Sequence, residues 1–287
     1  MYELLIIISA VVYSTSGVWN MLEGTENVSA MMLVTIRLFF MVVFAGMIII
    51  IRKKSFRLNK AQFISCALFG VSGMSLTMFL FTLGVKEMSV GPTALCHYSY
   101  PLFVAVISSL IYKEKFGVKR ILATALMFLG LYLSNSGGTM TFFGTFCALA
   151  SAVTFGLYVF GQDHSAMREM EPMTLFFYNA LFSLLACIVV LFVTNDIILP
   201  SDYRVYGYMS IAALLCEMVG AVLLSIGVRK IGATKASYLS VLEPLSSYIW
   251  DFLFFGALIT TKSLLGMVFI FISFFLTLFV SPKNKKA

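Results

Sequence analysis

The stretch Gly232–Gly256, GATKASYLSVLEPLSSYIWDFLFFG, decides how this chain is read. It is apolar enough to lie in a bilayer, yet it carries Glu243 directly before Pro244, and Asp251 eight residues further on. A charged side chain at membrane depth costs roughly 2.5–3.5 kcal/mol on insertion scales, so such groups face a bundle interior or a water-filled cavity. The proline removes a backbone donor and loosens the helix beside the charge. At ~100° per residue, Ser247 and Trp250 fall within ~40° of Glu243, and Asp251 lies at the edge of the same stripe. A weakened helix bearing carboxylates is what a solute site between moving helices needs.

The stretch has a counterpart in the first half, Gly91–Tyr112, GPTALCHYSYPLFVAVISSLIY, centred on Pro101. Ser99 and Tyr100 precede that proline, as Ser237, Tyr238 and Ser240 precede Pro244. The two prolines are 143 residues apart in a chain of 287, so the chain reads as two copies of one unit.

Composition sets the class. Hydrophobic residues make up 60% and charged residues 11%, against about a quarter charged in a soluble domain. The expectation is an all-α integral membrane protein. The formal charge of +7 is no nucleic-acid signal, because the basic residues sit between apolar runs and form no stripe. The five cysteines, Cys66, Cys96, Cys147, Cys187 and Cys216, are widely spaced in apolar runs and show neither CxxC nor zinc-ligand spacing. They read as small buried hydrophobes, with no metal and no cofactor implied. The first run starts at once, without a basic leader or small-x-small cut site, and is read as a first span rather than a removed peptide.

Ten apolar runs are long enough or nearly long enough to span: 3–21, 29–51, 61–85, 91–112, 118–135, 141–162, 172–194, 206–228, 235–256 and 262–281. The joints between them are too short for a soluble domain. Alternate joints hold Arg52, Lys53, Lys54, Arg57 and Lys60, then Lys113, Lys115, Lys119 and Arg120, then Arg168, then Arg229, Lys230 and Lys235; the tail adds Lys283, Lys285 and Lys286. Those sixteen basic residues face only Lys86, Arg204 and Lys262 on the other side. The positive-inside rule therefore places both termini in the cytoplasm, and an even number of spans agrees. Five spans per half is an odd number, so the second copy enters from the opposite side. This predicts ten transmembrane helices as two inverted five-helix repeats, residues 1–137 and 138–287, with the site at the midplane between them.

The order of motifs resembles the EamA branch of the drug/metabolite transporter superfamily over nearly the whole chain. The second run, LVTIRLFFMVV, is similar to that family's arginine-bearing second helix, with Arg37 at that place. The run LFGVSGMSLTMFLFTLGVKEMSVGPTALCHYSYPLFVAVISSLIYKEKF looks like its third and fourth helices, with Pro101 and a cytoplasmic Glu114. ILATALMFLGLYLS is similar to its glycine-bearing fifth, and GATKASYLSVLEPLSSYIWDFLFFGALIT with SLLGMVFIFISFFL repeats the pattern. Two positions depart from it: Ala257 stands where the ninth helix ends on Glu, and Asp251 stands where a small or apolar residue is usual. The resemblance implies a ten-helix bundle that moves small organic solutes by alternating access.

Intramembrane ionisable residues are the first site candidates. Glu243, with Ser247 and Trp250, reads as a binding face for an amine or a proton, or else as a carboxylate capping free backbone groups. Arg37 reads as a helix-pairing partner of Glu243 or Glu217, or as a ligand for a substrate carboxylate. Glu217, Asp251 and His97 are candidates for proton or ion coupling, His97 being equally a hydrogen-bonded core histidine. Trp19, Tyr98, Tyr100, Tyr158, Tyr178 and Tyr238 are candidate cavity walls able to hold a cation over their faces, against an interfacial belt. The polar run Tyr13–Asn20, YSTSGVWN, reads as a lining of the solute path.

No GxSxG, HExxH, P-loop or glycine-rich phosphate cradle is present, so neither an enzyme nor an ATP-driven pump is expected. The reading is a plasma-membrane secondary transporter of a small polar metabolite, amine-bearing or amino-acid-like, because intramembrane carboxylates outnumber Arg37 three to one. Its partners are a small-molecule substrate and the lipid bilayer, with proton coupling or exchange, as a monomer or weak homodimer. The alternatives are a sugar or nucleotide-type solute, a non-transporting receptor, and a membrane-embedded enzyme.

Overall fold

The computed structural model describes residues 1–20, 22, 28–88, 90–112, 118–134, 140–256 and 260–278. Among these residues the chain is helical with no strand. The helices are α1 (Tyr2–Tyr13), α2 (Ser16–Asn20), α3 (Ala30–Ile51), α4 (Lys60–Phe69), α5 (Leu76–Met88), α6 (Val90–His97), α7 (Tyr100–Tyr112), α8 (Val118–Ser134), α9 (Phe142–His164), α10 (Pro172–Thr194), α11 (Tyr203–Ile211), α12 (Gly220–Ile231), α13 (Ala233–Leu239), α14 (Leu242–Phe255) and α15 (Thr261–Leu278). Two π segments, Gly70–Ser75 and Ala212–Val219, join α4 to α5 and α11 to α12, and a 3-10 turn, Ala166–Glu169, follows α9.

Five continuous helical stretches are long and apolar enough to cross a bilayer: Ala30–Ile51, Lys60–Met88, Phe142–His164, Pro172–Thr194 and Tyr203–Ile231. With large apolar side chains such as Ile50, Phe146, Val189 and Phe192 pointing outward, they make this a multi-pass membrane protein. The remaining apolar runs are helical over their described parts but shorter or broken.

Three runs expected as unbroken spans are interrupted, each at a serine. Between α1 and α2, Ser14 Oγ donates to the Val11 carbonyl at 2.6 Å and Thr15 Oγ1 to that of Val12 at 2.8 Å. Between α6 and α7, Ser99 Oγ donates to the Cys96 carbonyl at 2.6 Å. Between α13 and α14, Ser240 Oγ donates to the Ala236 carbonyl at 3.2 Å. At each break a hydroxyl bonds back to a carbonyl three or four residues earlier, a local side-chain alternative to the regular helical ladder. Pro101 and Pro244 therefore act differently from the sequence expectation. They do not weaken a continuous helix; each sits in the first turn of α7 or α14, where a missing N–H costs nothing.

The helices pack as α8 against α15, α5 against α9, α3 against α10 and α1 against α12. The segment Gly70–Ser75 packs on α10 and α9, and Ala212–Val219 packs on α3 and α1. One end of the molecule is tied by polar contacts. Asp163, 3% exposed near the end of α9, accepts from the backbone N–H of Ala233 at 3.0 Å and so caps α13. It also pairs with Arg168 at 3.6 Å. Lys235 bridges to Glu3 at 2.9 Å, and the Arg229 guanidinium donates to the carbonyls of Met170 and Arg168. Beneath these contacts lies an apolar layer that includes Ile6, Val228, Ala236 and Leu239.

Candidate functional site

A cavity of ≈ 150 Å³ opens between the broken runs and the two π-bearing helices. That is about the size that accommodates a benzene-sized molecule. α3 contributes Arg37; the segment Ala212–Val219 contributes Glu217; the start of α14 contributes Glu243, Pro244 and Ser247. The end of α6 contributes His97, and Tyr98 follows at the break. α9 brings Phe155 and Tyr158, the α1–α2 joint brings Tyr13, Ser14 and Ser16, and the third run brings Met74, Thr77, Met78, Phe81 and Thr82.

Local geometry explains these positions. Glu243 lies in the first turn of α14, where free N–H groups and the positive end of the helix dipole stabilise a carboxylate. Tyr98 lines the cavity beside Glu243 and Ser247 and interacts with both side chains, while the Ser247 hydroxyl donates to the Glu243 backbone carbonyl at 3.0 Å. Arg37 Nη1 meets Glu217 Oε1 at 3.4 Å, with side chains 5% and 13% exposed. Glu217 reaches the cavity from a π segment, a wide turn often found at functional sites. Arg37 and Glu217 cancel one another's charge, so Glu243 is the surplus acid of the cavity. A desolvated carboxylate without a counter-charge is costly. It is satisfied by a proton or by a cationic solute. The walls are aromatic: Tyr100 meets Phe155 edge-on at 4.7 Å between centroids, and His97 lies 5.0 Å from Phe81.

Of the candidates read from sequence, the fold gathers Arg37, His97, Tyr98, Tyr158, Glu217, Glu243 and Ser247 around this space. Others support it or lie elsewhere. Trp250 donates from Nε1 to Ser14 Oγ at 2.9 Å and so holds a lining serine. Tyr100, 1% exposed, stands behind Phe155. Trp19 is outside the lining. Tyr238 bonds Thr124 at 2.9 Å, and Tyr178 donates to the Phe56 carbonyl at 2.7 Å, near the α3–α4 joint. The side chain of Asp251 lies outside the described residues, as do Ala257 and Glu114. The polar run at Tyr13 supplies lining residues, as its composition suggested. The third run was missed, although Thr77 and Thr82 within a long apolar stretch were a readable signal.

Glu217 precedes Arg229 by twelve residues, about 18 Å of helix, so the cavity and the tied end are well separated along this span. No group of three or more His, Cys, Asp or Glu suited to a metal comes together among the described residues.

The described residues form an all-helical, multi-pass membrane protein with a solute-sized, acid-bearing cavity among its helices. The chain belongs to the EamA-like transporter family, whose model matches residues 1–136 and again 142–279. It is similar to a protein of Archaeoglobus fulgidus described as "Uncharacterized transporter", 26% identical over 270 residues, covering 92% of this chain and 91% of the relative. It is also similar to "Uncharacterized transporter YyaM" of Bacillus subtilis, 25% identical over 212 residues, covering 70% and 68%. A solved structure described as "Crystal structure of protein" shares the fold at a TM-score of 0.77, with 12% identity and coverage of 96% and 95%.

Proposed function

We propose that this protein is a secondary transporter that carries a small amine-bearing or amino-acid-like solute across the plasma membrane by alternating access. The observation that carries the substrate class is Glu243: a carboxylate in an aromatic-walled cavity whose only arginine among the described residues, Arg37, is engaged with Glu217. An ammonium group neutralises Glu243, and Tyr13, Tyr158 and Phe155 offer ring faces to it. When a solute carboxylate displaces Glu217 from Arg37, an amino acid satisfies both charges. A phosphate-bearing solute needs more cations than one arginine, which weighs against nucleotide derivatives.

Ten spans in two inverted repeats, 1–137 and 138–287, are part of this reading. The two family matches lie side by side. The π segments occupy corresponding places, Gly70–Ser75 and Ala212–Val219, and so do the serine-marked breaks before Pro101 and Pro244. Packing is paired in the way a two-fold axis requires: α1 on α12 mirrors α9 on α5, while α3·α10 and α8·α15 pair with themselves. Such repeats place a site near the midplane, at interrupted helices.

Protons compete with the solute for Glu243 and supply coupling by exchange. A thermal-shift screen in detergent with amines, amino acids, sugars and nucleotides tests the substrate class, since a ligand stabilises the state it binds. The expected result is stabilisation by an amine or amino acid, lost in Glu243→Gln, and counterflow of the same compound in proteoliposomes. Stabilisation by sugars or anions alone overturns the reading.

A further inference from the structure

His97, the last residue of α6, has its protonation pattern set by its neighbours. Its Nδ1 lies 2.8 Å from Ser151 Oγ, and Ser151 Oγ lies 2.7 Å from the carbonyl oxygen of Ala148. A hydroxyl carries one proton, and a carbonyl oxygen can only accept. The Ser151 proton is therefore given to Ala148, and the Ser151 oxygen accepts from His97 Nδ1–H. In the neutral ring this leaves Nε2 as a lone-pair acceptor.

The ring is held in that orientation by Phe81, Phe155, Tyr98 and Tyr100, with centroids 5.0, 5.5, 5.7 and 5.9 Å away. The Tyr100 hydroxyl is directed toward the Ser237 carbonyl, and Tyr98 and Glu243 interact through their side chains. Among the described residues no donor meets Nε2, while the residue lines the cavity that also holds Glu243. The lining thus includes two side chains that carry acceptor atoms, Glu243 and His97, among aromatic residues.

We propose that His97 is a specificity-determining residue that accepts an N–H of the solute, so that the site takes primary, secondary or tertiary ammonium ions and rejects quaternary ones. This rests on the amine reading above and narrows it. A carboxylate and ring faces alone attract any cation, including a quaternary one. A locked Nε2 acceptor adds a demand that only an N–H donor meets. A cation without one leaves Nε2 desolvated and unpaired, and sites built around a hydrogen bond reject analogues lacking the partner.

The test is binding of ethanolamine, its N-methyl and N,N-dimethyl derivatives and the N-trimethylated quaternary ion to purified full-length protein. All four are cations at neutral pH, and their N–H count falls from three to none. The expected result is a loss of roughly 10- to 100-fold at the step that removes the last N–H. His97→Phe, which keeps a ring and removes the acceptor, closes that gap while the cations still bind. Ser151→Ala removes the partner that fixes the tautomer and narrows the gap in a protein whose ring packing is intact, which keeps the proposal testable if His97→Phe does not fold. Equal binding of the quaternary and dimethyl ions by wild type overturns the role of His97 and leaves the amine reading standing. A gap that persists in His97→Phe also overturns it. Binding of no member of the series overturns both.

Discussion

The chemistry of the cavity comes down to three charged residues with different partners. Arg37 and Glu217 face each other at 3.4 Å in a buried setting, and removing one partner of such a pair leaves the other charge uncompensated. Arg37→Met is expected to destabilise the fold by ~3–5 kcal/mol. The double variant Arg37→Met/Glu217→Gln should recover a large part of that loss. Melting temperatures in detergent give the comparison, and a double variant no better than the single one removes the pairing as a stability element. Glu243 has no such cationic partner, so its charge is free to respond to solute and proton. The groups facing it are Tyr98, Arg37, Glu217 and His97. On the proposed amine reading its ionised form binds an ammonium and its protonated form does not. Affinity for the cation should therefore rise with pH through the titration of Glu243 in the wild type. In Glu243→Gln affinity should fall roughly 10- to 100-fold and its pH dependence should flatten. A full pH response in the Gln variant assigns the titration to another group.

At the scale of elements, the apolar runs and their order were legible because hydropathy over ~20 residues reports directly on lipid burial. The breaks and π segments were not. Ser14, Ser99 and Ser240 are ordinary residues for a helix surface, and only the fold shows that the helices break at them with their hydroxyls bonded back to carbonyls of the preceding turn. Glu217 was found as a charge in an apolar run, but the widened turn that aims it was invisible, since a π turn carries no periodicity signal. Tyr13 and Tyr158 illustrate a further gap. Each approaches a glycine of a π-bearing helix: a Cβ on Gly220 would lie 2.9 Å from Tyr13, and one on Gly73 would lie 2.7 Å from Tyr158. A methyl group at either position must push a lining ring, so Gly73→Ala is expected to cost ~1–3 kcal/mol and to weaken solute binding, both measurable in one thermal-shift titration. Unchanged stability and binding would show that the ring has room to move. The tied end gives an independent element-scale test. Asp163 caps α13 across space, next to Gly232 with its positive φ of 86°, and N-cap removal typically costs ~0.5–2 kcal/mol. Asp163→Ala should therefore raise hydrogen exchange at the first turn of α13 with little effect on α8 and α15. Uniform acceleration over the chain would instead mean that Asp163 supports the whole fold.

For the whole molecule, the sequence alone offered an orientation through its basic joints, and the fold adds a reason for the asymmetry to matter. The end that gathers Glu3, Asp163, Arg168, Arg229 and Lys235 is tied by polar contacts, and it carries basic joints that the proposed orientation assigns to the cytoplasm. On the proposed alternating-access reading, opening toward that side requires the Asp163 and Lys235 contacts to part. Thiol labelling checks the orientation without assuming it. All five native cysteines are buried, so background reaction with a membrane-impermeant maleimide should be low. Ser55, between α3 and α4, and Ser201, just before α11, are both exposed and lie at opposite ends of the α3 and α11 spans. Ser201→Cys should label in intact cells, and Ser55→Cys only after the membrane is opened. The reverse pattern inverts the orientation and turns the tied end outward. Labelling of both in intact cells means the two sites share a side, which an odd number of spans between them forbids, and the ten-span count then fails with it.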